Sequence, residues 1–320
     1  MFTQEGVRPH TNSKRRWLVS ACLTLGLSLI VLDETVVNTA FPILTADLGL
    51  DAYETEWIDS AYALTFASLL IFFGQLADRY GRKRFFLIGV AVFILASLGV
   101  VLSDTSTGVI LARALQGCGG AMILPTTLAI INTYYHGRDR AIAFTIWGGT
   151  IGGVAAVGPM VGAWLISSHS WHWAFAINIP LGLLVMVASY FCIPGSRSGA
   201  QGKGLDLTGA MLITFALFSV VFAIIEGGRF GFSYQREPFT AGSMTWPPSF
   251  PPITLLFLAI GIVSFLAFLL VEKSRSKQGR HVTLNVALFR SRSFSAGNLV
   301  AFVVSLGEFG LLFTLPLFLE

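Results

Sequence analysis

The feature that most constrains this chain is a succession of apolar runs, each about as long as the ~20 residues a helix needs to cross a bilayer, separated by short basic or Gly/Pro-containing breaks. Reading the runs against their breakers predicts nine spans: Trp17 to Leu44, Trp57 to Ala77, Phe85 to Ser103, Thr107 to Thr133, Ala141 to Ser167, Trp173 to Ile193, Leu207 to Ile225, Ile253 to Val271 and Phe294 to Leu319. The fold class expected is therefore an all-α polytopic membrane bundle. Composition agrees: the 320 residues are 54% hydrophobic and 12% charged, against roughly 25% charge in soluble domains, which excludes an ordinary soluble enzyme. The first run continues through Asp33 and Glu34 without a convincing cleavage site, so it reads as a retained helix. Cys22, Cys118 and Cys192 each fall inside an apolar run and the five histidines lie outside the runs at uninformative spacings, so neither a disulfide framework nor a metal site is expected.

Basic residues set the orientation. With the N-terminus in the cytoplasm, eighteen of the 21 Lys and Arg lie inside; Arg229 and Arg236 lie in the outer Pro-rich loop 226–252, and Arg113 lies within a span. The positive net charge thus reports membrane orientation, and no basic face is left for nucleic acid. An odd number of spans would leave Glu320 at the outer surface directly after an apolar run, so the sequence reads as a fragment or truncated reading frame.

Ionisable groups within spans carry the sharpest signal, because each costs at least ~2.5–3.5 kcal/mol at the bilayer centre. They are Asp33 and Glu34 in the first span, Asp59 near the outer end of the second, Arg113 in the fourth and Glu308 in the ninth. From the helical rise, Asp33 and Glu34 lie about 15–17 Å below the outer end of their helix, and Arg113 about 9 Å below its own. Both belong to the outer half of the membrane, where a shared water-filled cavity would let a proton or a cation compete for the carboxylates. A static ion pair joining two helices is the alternative. Glu34 and Asn38 are four apart and Arg113 and Gln116 three apart, so each pair shares a face that fits a cavity wall or an interhelical hydrogen bond. Tyr62, Trp57 and Trp173 can also serve as interfacial aromatics.

Three patterns add detail. Glu34 and Glu308 are each followed eight residues later by a proline, Pro42 and Pro316, a weak echo of the internal repeats from which many secondary transporters are built. The fifth span carries small-residue pairs at Gly148/Gly152, Gly149/Gly153 and Gly158/Gly162 with Pro159 between, suited to close helix contact and a bend. The segment Gly74-Gln75-Leu76-Ala77-Asp78-Arg79-Tyr80-Gly81-Arg82-Lys83-Arg84 makes a tight turn whose charges can pair with helix ends.

That turn resembles the signature loop between the second and third helices of the major facilitator superfamily, matching at Gly74, Leu76, Asp78, Arg79, Gly81, Arg82 and Lys83. Leu32 to Pro42 resembles the first-helix motif of its fourteen-helix drug:proton antiporters, Arg113 to Gly117 their fourth-helix arginine motif, and Gly158 to Gly162 their fifth-helix motif. Trp171 to Pro180 resembles the segment that opens the sixth helix. Val154, Ala163 and His172 depart from those patterns. The resemblance implies a bacterial plasma-membrane exporter of hydrophobic or cationic compounds, exchanging them for protons by alternating access and using no cofactor beyond the proton gradient.

On that basis residues 1–193 form a six-helix bundle, 194–272 a linker and an inserted helix pair, and 273–320 a cytoplasmic loop and the first helix of an incomplete second bundle, so that the chain is expected not to transport alone. Asp33, Glu34 and Arg113 are the expected proton-coupling residues, and Asn38, Tyr62, Gln116 and Glu308 the cavity. Gly74, Asp78, Arg79, Gly81, Arg82 and Lys83 form the gating loop, and Gly149, Gly153, Gly158, Pro159 and Gly162 the packing and bending face. The partners are a small substrate, protons and the lipid bilayer, with oligomeric state open. An uptake symporter of the same superfamily and a non-transporting truncated membrane protein are the alternatives. No nucleophile, metal or phosphate constellation supports an enzyme.

Overall fold

The computed structural model describes residues 13–195, 206–241, 244–247, 249–280, 282–284 and 286–319, with side chains described for 16–195, 206–239, 245–247, 249–280, 282–284 and 288–307. Arg8, Arg197, Lys203 and Glu320, and the side chains of Lys14, Arg15 and Glu308, lie outside the described residues. The chain forms helices α1 (Ser13–Leu48), α2 (Ala52–Tyr80), α3 (Arg82–Val101), α4 (Ser106–Tyr134) and α5 (Gly137–Ser168) in up-and-down succession. A sixth crossing is split into α6 (His172–Ala176) and α7 (Asn178–Cys192). Next come α8 (Leu207–Ile225), a short α9 (Gly227–Phe230), a hairpin of β1 (Phe239–Ala241) and β2 (Met244–Trp246), α10 (Ile253–Lys277) and α11 (Arg292–Leu319).

Among the described residues eight helices, counting α6 and α7 as one, are long and apolar enough to cross a membrane. They coincide with the first eight expected runs; α11 is helical over the residues of the ninth run and is not among the eight. Helix ends follow local chemistry. Asp51 caps α2 in a reciprocal box with Glu54, Thr105 caps α4 through the Gly108 N–H, and Asp206 caps α8 through the Gly209 N–H. Gly81, at φ 115°, makes the break between α2 and α3 that a side chain would oppose. The hairpin is an addition that the Pro-rich loop did not signal; Phe239 anchors it against Phe222 and Phe230.

Helix α4 sits at the centre, packed on α2 and α3, while α1 packs on α5 and α7. Phe86, Phe93, Ile123 and Val185 fill one core between these helices, and Val36, Ile58, Val109 and Phe175 another towards the opposite end. The outward surface stays apolar, with Leu95, Trp164 and Leu270 largely exposed, as a lipid-facing surface requires. Helices α8 and α10 pack on each other, and α8 lies along α2.

Candidate functional site

The most polar interior point is built around Arg113. Its guanidinium is fully buried and donates to Asp33 Oδ2 at 2.6 Å, to Gln116 Oε1 at 2.9 Å and, through Nε, to the Ile58 carbonyl at 3.1 Å. Asp33, equally buried, also accepts from Gln116 Nε2 at 2.7 Å and Asn178 Nδ2 at 2.6 Å. Gln116 reaches Ser97 Oγ at 3.0 Å. Five helices, α1, α2, α3, α4 and α7, therefore each contribute a polar group to one buried network centred on this ion pair. The Tyr62 ring lies under the guanidinium at 4.4 Å, and Phe175 flanks it at 5.9 Å.

The network has one exposed side. Asp59, with its side chain 53% exposed, stands 3.6 Å from Arg113 Nη2. That nitrogen, the Tyr62 hydroxyl and Asn178 Oδ1 are buried and have no hydrogen-bond partner among the described residues. The arrangement forms a series from an exposed carboxylate through a guanidinium to a buried carboxylate, in which a proton arriving at Asp33 would release Arg113.

The expected coupling residues thus divide. Arg113 takes Asp33, while Glu34 and Asn38 lie exposed on another side of α1. Gln116 and Tyr62 are buried in the network, where Gln116 accepts from Arg113 and the Tyr62 ring lies under its guanidinium. Glu308 is helical, and its side chain lies outside those described. Asn178 and Ser97 are members that sequence reasoning did not single out; the only signal was an amide and a hydroxyl within apolar runs. Asp59, near the outer end of the second span, is exposed and also reaches Arg113.

At the basic end the α2–α3 turn is pinned to two other helices. Arg82 pairs with Asp78 at 2.7 Å, donates to the Ala129 carbonyl at 2.9 Å and to Thr133 Oγ1, all near the C-terminal end of α4. Lys83 donates to the Tyr190 carbonyl at 2.6 Å in the last turn of α7. Cations thus meet the negative ends of two helix dipoles. Arg79 lies over the Tyr80 ring at 5.5 Å, and Gly74 faces Pro125 of α4, where a Cβ would make ordinary contact at 3.5 Å.

The glycines of α5 also divide. A Cβ on Gly158 would stand 2.7 Å from Thr35 Cβ, and one on Gly162 3.2 Å from Val36 Cα, so these two seat α5 on α1. Gly148, Gly149, Gly152 and Gly153 have nothing within 4 Å among the described residues. Pro159 lies inside a helix that continues from Gly137 to Ser168.

A family model described as "Major Facilitator Superfamily" matches residues 23–289. The tetracenomycin C resistance and export protein of Streptomyces glaucescens is 29% identical over 306 residues, 96% of this chain and 53% of that protein. The puromycin resistance protein of Streptomyces alboniger is 34% identical, with 96% and 56% covered. The methylenomycin A resistance protein of Bacillus subtilis is 30% identical, with 93% and 59% covered. The chain therefore spans between half and three fifths of the length of these relatives. A crystal structure of a human organic anion transporter superposes with a TM-score of 0.52 at 15% identity, over 72% of this chain and 59% of that one, a likeness of fold.

Proposed function

Because the chain belongs to the Major Facilitator Superfamily, we propose that it is part of a membrane exporter that exchanges hydrophobic or cationic small molecules for protons. The observation that carries this reading is the buried Asp33–Arg113 pair with Asp59 at its exposed side. A carboxylate that can be neutralised at the cost of a buried ion pair is a natural coupling element, since its two protonation states favour different helix packings. Relatives named for antibiotic resistance and export support the direction of transport. The fourteen-helix drug:proton subfamily, with its N-terminus in the cytoplasm, is the placement we favour within the superfamily.

Asp33 is then the proton site, and Arg113 sets its affinity. Exposed Glu34 and Asn38 meet the substrate on the neighbouring side of α1. Moving one charge across 100 mV is worth about 2.3 kcal/mol. Exchange of one proton for one monovalent cation forfeits that electrical gain, and a second carboxylate at Glu34 lets the exporter recover it by taking two protons.

The test is proton release on addition of a fluorescent lipophilic cation to the purified chain in detergent. Release from the parent, its reduction in Asp33→Asn, and cation binding weakened by Glu34→Gln are expected. Unchanged release with both acids neutralised overturns the assignment.

A further inference from the structure

A second buried polar cluster lies at the basic end of the inserted pair. Asp206 and Glu272, on α8 and α10, are 1% and 0% exposed. Asp206 Oδ1 caps α8 and accepts from Arg275, while its Oδ2 accepts from the Thr283 N–H at 3.3 Å and the Thr283 hydroxyl at 3.1 Å. Glu272 accepts from the Thr283 N–H on one oxygen and the Leu284 N–H on the other, each at 3.1 Å. Residues 282–284 have no helical or strand partner of their own, so carboxylates from two helices supply the acceptors that their backbone lacks. Gly209 makes room, because a Cβ there would lie 2.5 Å from Glu272 Oε1.

The gripped residue faces the bundle. Thr283 Oγ1 accepts from Gln75 Nε2 of α2 at 2.6 Å, and Gln75 belongs to the turn-bearing segment that leads into Asp78 and Arg79. At the far end of the same seam Trp57 Nε1 donates to Glu226 Oε1 at 2.7 Å, and Arg229 lies over the Tyr53 ring at 3.8 Å. Helix α8 is thus tied to α2 at both ends.

We propose that Asp206 and Glu272 are positioning residues that hold Thr283 against Gln75, so that the α8–α10 pair and the six-helix bundle move as one body. This rests on the alternating-access reading above. Without the two carboxylates the strap that follows α10 has no fixed seat, and α2 is free of the insert at its gating end.

The test uses the whole chain in lipid nanodiscs with Cys22, Cys118 and Cys192 replaced by serine. Two cysteine pairs are cross-linked with a short bifunctional thiosulfonate: Gln75→Cys with Thr283→Cys, and Trp57→Cys with Glu226→Cys. Both pairs are expected to cross-link. Asp206→Ala with Glu272→Ala lowers the 75/283 yield at least fivefold and leaves the 57/226 yield, a readout of intact packing, unchanged. Gly209→Ala, which keeps both charges and displaces them, gives the same selective loss if the double variant fails to fold. No 75/283 product in the parent, or an unchanged yield in the variant that retains the 57/226 product, overturns the proposal. Neither yield depends on proton release, so failure of the transport reading is told apart from failure of the clamp.

Discussion

Arg113 brings five N–H donors into a space without solvent, and the acceptors it meets decide what its removal costs. Breaking a buried ion pair from one side strands the other charge and costs about 3–5 kcal/mol, whereas replacing both members with apolar groups is often close to neutral. We therefore expect Asp33→Asn and Arg113→Gln each to lower the thermal midpoint in detergent strongly. Asp33→Leu combined with Arg113→Met should lose less than either, with proton release reduced. A double variant as damaged as the sum of the singles would show that the pair does not act as a unit. Glu226 supplies a residue with the opposite logic. Burial raises its pKa above the ordinary 4.5, against the hydrogen bond from Trp57 and the nearby Arg229 charge, which lower it. A raised acid contributes stability below its ordinary pKa and loses it as pH rises through the folded value. Glu226→Gln keeps an acceptor for Trp57, so we expect thermal melts between pH 4.5 and 8 to lose this part of their slope. The division of Asp33 from Glu34 was not legible in the sequence: neighbours on a helix point about 100° apart, so one of two adjacent acids must turn from Arg113, and a hydropathy pattern says nothing about which. Asn178 and Ser97 were hidden for a related reason, since neutral polar groups are common at helix contacts in membranes.

Among the elements, α5 offers two faces with opposite tolerance. Gly158→Val places methyl groups against Thr35 in a packed seam, and we expect overpacking of about 1–3 kcal/mol in thermal melts. Gly149→Val, on a face with nothing within 4 Å among the described residues, should stay within about 0.5 kcal/mol in the same assay. Equal effects at the two positions would contradict the observed seating of α5 on α1. The spacing that marked all these glycines as packing residues was readable, but a small-residue repeat does not tell which members face a neighbour. Helix existence was far more legible, because a run long enough to span a bilayer admits few other readings. The β1–β2 hairpin escaped notice since its six residues lie in a Pro-rich loop and are held mainly by Phe239 contacts to distant aromatics.

At the scale of the whole molecule, polar groups tie helices where the apolar surfaces alone would let them slide. Arg82 and Lys83 lock the α2–α3 turn to α4 and α7, and Thr283 and Glu226 tie the α8–α10 segment to α2. Among the described residues, the groups that contact the Arg113 guanidinium, Asp33, Ile58, Asp59, Tyr62, Gln116 and Phe175, come from the first six crossings. Helix α8, by contrast, meets those crossings chiefly along α2. The charged centre and the α8–α10 pair are therefore separable: a change in that pair on the flank of α2 leaves each of these partners of the arginine in place.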